Sequence, residues 1–203
     1  MAGFRRSLLL VMFASCGQLA APPPASLPWV SGFRASAVAE ESAHLDPRAS
    51  TLVDPSDDPM AVQADVRGGG SAELVVASAH GGVRIVDARG RVVAQSDETP
   101  FEGSADDLIA LAIGDAHLGS PVILAALQHG GHRSNVVSLD VFRVNGGRLE
   151  RVFEAPIETH DGAASAAGAV FFADGALVYR APGAQDPTTW SFDPVLRRYV
   201  RAP

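Results

Sequence analysis

The chain predicts a mainly β fold made of repeated four-stranded antiparallel units. Three observations support this. From residue 60 onward, short apolar runs alternate with turn-forming residues, and no long segment keeps a helical period. The 203 residues include 20 Gly and 14 Pro, a density that suits many short strands and tight turns. Finally, one block recurs at an offset of roughly 49 residues, which is the length of a four-stranded unit.

The N-terminal segment reads as an export signal. Arg5 and Arg6 precede an apolar run from Leu8 to Ala14, which is too short to span a bilayer at about 20 apolar residues. The run ends at Phe13-Ala14-Ser15-Cys16, and Cys16 is the only cysteine in the sequence. This quartet resembles the bacterial lipoprotein signal, or lipobox, with Phe13 where that family usually carries Leu. The resemblance implies cleavage between Ser15 and Cys16 and acylation of Cys16, so that residues 1–15 are a signal peptide. It also implies a membrane partner reached through the lipid. Gly17 in place of an acidic retention residue implies the outer membrane of a Gram-negative cell. The alternative is an ordinary signal cleaved near Ala20 or Ala21, giving a periplasmic or secreted protein.

Residues 16–57 read as a disordered tether rich in Pro and Ala. Pro22-Pro23-Pro24 is stiff and non-helical, and Asp54-Pro55-Ser56-Asp57-Asp58-Pro59 closes the segment as a turn. About forty residues of flexible chain span roughly 35 Å. Within it, Arg34 to His44 suits a short helix. The alternative is an N-terminal extension packed on the domain through Trp29 and Phe33.

Residues 58–203 form the β-rich repeat domain. The first strand set is expected at 60–65, 72–78, 82–87 and 91–96, and the second at 107–114, 121–128, 135–144 and 148–156. The third lies at 167–172, 176–180, 188–193 and 196–200. Gly68-Gly69-Gly70, His80-Gly81-Gly82, Arg89-Gly90, His129-Gly130-Gly131, Asn145-Gly146-Gly147 and Asp174-Gly175 separate them. Asn-Gly and Asp-Gly between β-type runs are strong hairpin signals. Asp106 to Leu111 also fits a helical turn.

The run from Ala64-Asp65 to Ala77 parallels that from Gly114-Asp115 to Ala126, and each leads into His-Gly-Gly and then a hairpin. Together with Val83 to Arg91, this pattern resembles the FG-GAP/VCBS and related repeats of secreted β-propellers over residues 60–155. The resemblance implies a partial or divergent propeller, with a β-sandwich as the alternative. It carries over no calcium. That family's loop supplies several carboxylates on alternate residues, as a six- to eight-coordinate ion requires. Here Asp65 is followed by Arg67 and Gly69, and Asp115 by His117 and Gly119.

The net charge is −7, and removal of residues 1–15, which hold Arg5 and Arg6 and no acid, takes it to −9. That balance disfavours nucleic acid as a partner. The chain has no Lys, which excludes Schiff-base, P-loop and Ser–Lys chemistry. A Gly-x-Ser-x-Gly elbow is also missing.

His129 and His132, with His160 and Asp161 as further ligands, are the candidate metal site. Zinc needs three or four converging donors, whereas His129-Gly-Gly-His132 reads first as a surface hairpin. Asp106, Asp107, Glu158 and Asp161 are candidate acids whose default is a solvated loop. Trp190, Phe192 and Tyr199 alternate as a buried strand face would. The expectation is therefore a lipid-anchored envelope protein with a non-catalytic binding or scaffold domain and no cofactor. Its partner would be an envelope protein or a glycan. The alternative is an envelope hydrolase with an unrecognised site.

Overall fold

The computed structural model describes residues 27–39, 59–96, 105–131, 134–145 and 147–202, with only the backbone of 105 and 106. The described residues are mainly strand, with no helix among them, and one of the sheets curls into a half-barrel. Residues 1–15, expected as a signal, and Cys16 lie outside the described residues.

The first strand set forms a four-stranded meander: β3 (Met60–Ala64), β4 (Glu73–Ser78), β5 (Gly82–Val86) and β6 (Val92–Gln95). The second set, β7 (Ala105–Asp115), β8 (Pro121–Gly131), β9 (Ser134–Asn145) and β10 (Arg148–Asp161), is also a meander. Its strands run to 14 residues and carry bulges in the β7–β8 and β9–β10 pairings. At its ends are β11 (Ala164–Ala167), beside β10, and β2 (Arg34–Val38), beside β7. The third set, β12 (Ala169–Ala173), β13 (Ala176–Arg180), β14 (Thr188–Asp193) and β15 (Arg198–Arg201), is a third meander. There β1 (Val30–Ser31) pairs parallel to β12.

Alternation along the strands explains how the sheets pack. On β8, Leu124 and Ala126 belong to one apolar cluster and Ile123, Ala125 and Leu127 to another. Successive side chains of a strand point to opposite faces, so the six-stranded sheet is buried on both. One cluster joins it to Val170, Phe172, Leu177 and Tyr199 of the five-stranded sheet. The other joins it to Val75, Ala77, Val83, Ile85 and Ala94 of the four-stranded sheet. A sheet covered on both sides reads as continuous apolar sequence, as Val122 to Leu127 does.

Two expectations require correction. Residues 27–39, placed by sequence in the tether, form β1 and β2, while 16–26 and 40–57 lie outside the described residues. Trp29, Val30 and Phe33 pack against the cluster around Phe172, which is the packed-extension alternative. Arg34–Val38 is a strand rather than the start of a helix, because the edge of β7 offers it a hydrogen-bonding partner. Gly114 permits this pairing, since a Cβ there would run into the backbone oxygen of Arg34 and the ring of Phe33. Asp106 to Leu111 is part of β7, as the strand expected at 107–114 has it, and not the alternative helical turn.

The repeated loops share a device. Between β3 and β4 the Asp65 carboxylate accepts bonds from the Gly69 and Gly70 amides at 3.0 and 2.7 Å. Between β7 and β8, Asp115 accepts one from the His117 amide at 2.7 Å. These aspartates serve the turn backbone. The β5–β6 turn is built similarly: Asp87 accepts from the Arg91 and Arg89 amides and from the Arg91 guanidinium.

These donors, the Arg91 amide foremost, hold the Asp87 carboxyl down at about 2, from 3.8. A depressed carboxylate stabilises the fold above the ordinary aspartate range, and that contribution is lost as pH falls toward 2. A carboxyl-carbon NMR titration should place the Asp87 midpoint near 2, and Arg91→Ala, which keeps the backbone amide and removes the guanidinium, should move it part of the way up toward 3.8. An unchanged midpoint in that variant would remove the Arg91 guanidinium as a cause.

Candidate functional site

The fourth strands of the three meanders, β6, β10 and β15, come together at one side of the molecule. Ser96, just after β6, bridges to Leu149 of β10. Along Arg148 to Ile157, β10 pairs with β9 on one edge, while β11 covers its other edge only from Glu158 onward. A cavity of about 650 Å³ opens there. It is lined by Leu149 to Glu154 of β10 and Arg198 to Arg201 of β15, with Ser96, Asp140, Phe142 and Trp190. Consecutive residues of a strand point to opposite faces. A cavity lined by unbroken runs from both strands therefore follows their edges, where backbone groups are presented.

The wall beside β9 is polar where an apolar face is expected. Asp140 sits on β9 between the buried Leu139 and Val141, and its side chain is 0 % exposed. It lies across the ladder from Glu154. One guanidinium nitrogen of Arg151 serves both acids, at 3.4 Å from Asp140 Oδ2 and 2.9 Å from Glu154 Oε2. Next to these, Glu150 accepts from the Arg197 guanidinium and from the Asn145 side-chain Nδ2, each at 2.8 Å. Burying charges is costly unless they are paired, and the acids of this wall are paired.

Phe153, Trp190 and Tyr199 also line the cavity, and Tyr179, Phe192 and Arg143 lie outside its lining but pack with these rings. Phe153 is the hub, with the rings of Trp190, Tyr179 and Tyr199 set edge-on at centroid distances of 5.6, 5.8 and 6.3 Å. Arg143 lies over the Phe192 ring at 5.4 Å. The Tyr199 hydroxyl is buried and has no hydrogen-bond partner among the described residues. Burial pushes it up to about 12, against a partial offset from Arg143. Arg198 and Arg201 flank Tyr199, are exposed, and have no ion-pair partner among the described residues.

The described candidate histidines, His129 and His160, lie on different faces of the six-stranded sheet. His129 lies two residues beyond Leu127 on β8 and so points to the face of the four-stranded sheet. There its Nε2 lies 3.0 Å from Ser138 Oγ. His160 shares a face with Glu158, opposite Val137, on the side of the five-stranded sheet. It pairs with Glu158 at 2.9 Å, and Trp29 donates to the same carboxylate at 3.1 Å. His132 lies outside the described residues. Among the described residues no three His, Cys, Asp or Glu gather as a metal site would require.

The His129–Ser138 pair has the nucleophile–base spacing, but Ser138 is only 4 % exposed. Of the candidate acids, Glu158 is occupied by Trp29 and His160, and Asp107 stands exposed on β7. Trp190, Phe192 and Tyr199 face the core, as their alternation predicts. No protein-family model, curated protein or solved structure matches the chain.

Proposed function

We propose that the protein is a lipid-anchored envelope protein whose β domain binds a partner without catalysing a reaction. Its site is the edge groove between β10 and β15, and the three meanders are divergent propeller-like blades stacked face to face. One observation carries the anchoring. The sole cysteine follows Ala14-Ser15 at the end of an apolar run behind two arginines, so its role is attachment rather than disulfide pairing. The binding role is supported by the groove. It combines two strands, paired acids, aromatic rings and two arginines without an ion pair among the described residues. The buried position of Ser138 supports binding over hydrolysis.

Expressed in a Gram-negative host, the full chain should fractionate with membranes and incorporate labelled fatty acid. Cys16→Ser should abolish the label and move the protein to the soluble periplasmic fraction. Equal labelling of the two proteins would refute the anchoring.

A further inference from the structure

The stack of three sheets has one closed end and one open end. Val75, Ala77 and Ile85 of the four-stranded sheet face the six-stranded sheet, so Leu74, Val76 and Val86 beside them face outward. These outward residues are nonetheless only 3, 0 and 0 % exposed. At the other end, Val170, Phe172 and Leu177 of the five-stranded sheet face inward. Their alternates Phe171, Ala173, Ala176 and Val178 lie on the outer face, together with Thr189 and Ser191 of β14, as the cross-strand register requires. None of these six is buried, and Phe171 is 46 % exposed.

Every one of these six positions is uncharged. The solvated face of an antiparallel sheet is ordinarily polar, and an apolar exposed patch marks an interaction surface. Charge stands only at the rim, with Arg180 on β13, and Asp193 opposite Arg198 on the β14–β15 ladder. The chain as a whole holds 23 acids against 16 basic residues. Two copies of an acidic protein repel each other over most of their surface, and an uncharged face with this rim sets no acid against acid.

We infer that the outer face of the five-stranded sheet docks on the same face of a second copy of this chain, forming an isologous dimer. Sheets pack face to face at about 10 Å, and the three meanders already stack in this way within one chain. The outer face of the four-stranded sheet is closed, so it offers no second contact and association stops at two copies. The five strands present a face of about 400 Å² in plan, so two copies bury roughly 800 Å², at the transient end of specific contacts. The dimer is therefore weak and reversible in solution. Anchoring both copies in one membrane, as proposed above, raises their effective concentration. The contact itself needs neither the anchor nor the groove.

The test uses the full mature chain carrying Cys16→Ser, so its outcome is independent of the anchor. Sedimentation equilibrium should show a reversible monomer–dimer system with no larger species. Phe171→Glu should weaken the dimer by about tenfold or more, because it places two carboxylates in the contact. Val195→Glu, in the β14–β15 turn and 85 % exposed, lies off this face and should leave the dimer unchanged. A thiol introduced by Val178→Cys, on the central strand of the face, should be cross-linked into dimers by a bismaleimide spanning about 10 Å. One introduced by Gln63→Cys, exposed on the outward side of the four-stranded sheet, should not. Absence of a dimer up to about 1 mM overturns the inference, as do equal dissociation constants for Phe171→Glu and the parent. Loss of the dimer in Val195→Glu, dimer cross-linking through Gln63→Cys, or assembly beyond two copies overturns it as well.

Discussion

Truncating Phe172 to Ala is expected to destabilise the domain by about 3–5 kcal/mol, whereas the same change at neighbouring Phe171 should stay within about 0.5 kcal/mol. The two rings leave opposite faces of β12. Phe172 is 1 % exposed in the cluster joining the five- and six-stranded sheets, where Phe33 of the N-terminal extension lies 6.0 Å from its ring. Phe171 is 46 % exposed. Losing Phe172 removes the transfer free energy of a large ring and leaves a cavity that rigid sheets on both sides do not fill. Paired urea titrations give the comparison directly. Equal midpoints for the two variants would mean that the five-stranded sheet does not pack on the six-stranded one by this face.

The second large effect is electrostatic. Arg151→Met should cost about 3 kcal/mol, because the buried Asp140 carboxylate and its neighbour Glu154 lose the guanidinium between them. Arg151→Met with Asp140→Leu should recover most of that loss, since an apolar pair of similar size carries no charge to desolvate. The double-mutant cycle then shows strong coupling, as contacting residues do. Additive effects would mean that the two side chains do not share a buried network.

Much of this fold is legible in the residues. Ala176–Arg180 and Thr188–Asp193 match the expected strands closely, because Asp174-Gly175 and the apolar alternation on both sides leave little freedom. The three four-strand meanders follow from the turn chemistry and the recurring block. Where reading fails, local signals are weak or tertiary pairing decides. Arg34 to Val38 has no pattern that distinguishes strand from helix, and the free edge of β7 settles it. The end of β10 and most of β11 escape a reading of the residues although Asp161-Gly162 is a hairpin signal between them, because Ala164–Ala167 carries no large apolar residue. His129-Gly130-Gly131 reads as the turn itself. Instead β8 runs through Gly131, which pairs with Ser134.

The groove is harder to see. Ser138 and Asp140 occupy alternate positions among Val, Leu and Phe, and in sequence that pattern reads as a solvated strand face. Only the stacking of a second sheet on that face turns Asp140 into a buried charge. The meeting of Arg151 with Asp140 and Glu154 depends on the β9–β10 register and its bulge, which no local signal encodes. Arg198 and Arg201 are legible as a basic pair around Tyr199. That no acid among the described residues pairs with them emerges only once the other arginines are placed.

Attachment through Cys16 is the claim on which the proposed role of the protein depends, and intact-mass spectrometry of the mature protein from membranes tests it most directly. The expected product is a chain beginning at Cys16, heavier than its sequence by a diacylglyceryl group and an amide-linked acyl chain. An unmodified chain beginning near Ala21 or Pro22 would contradict it.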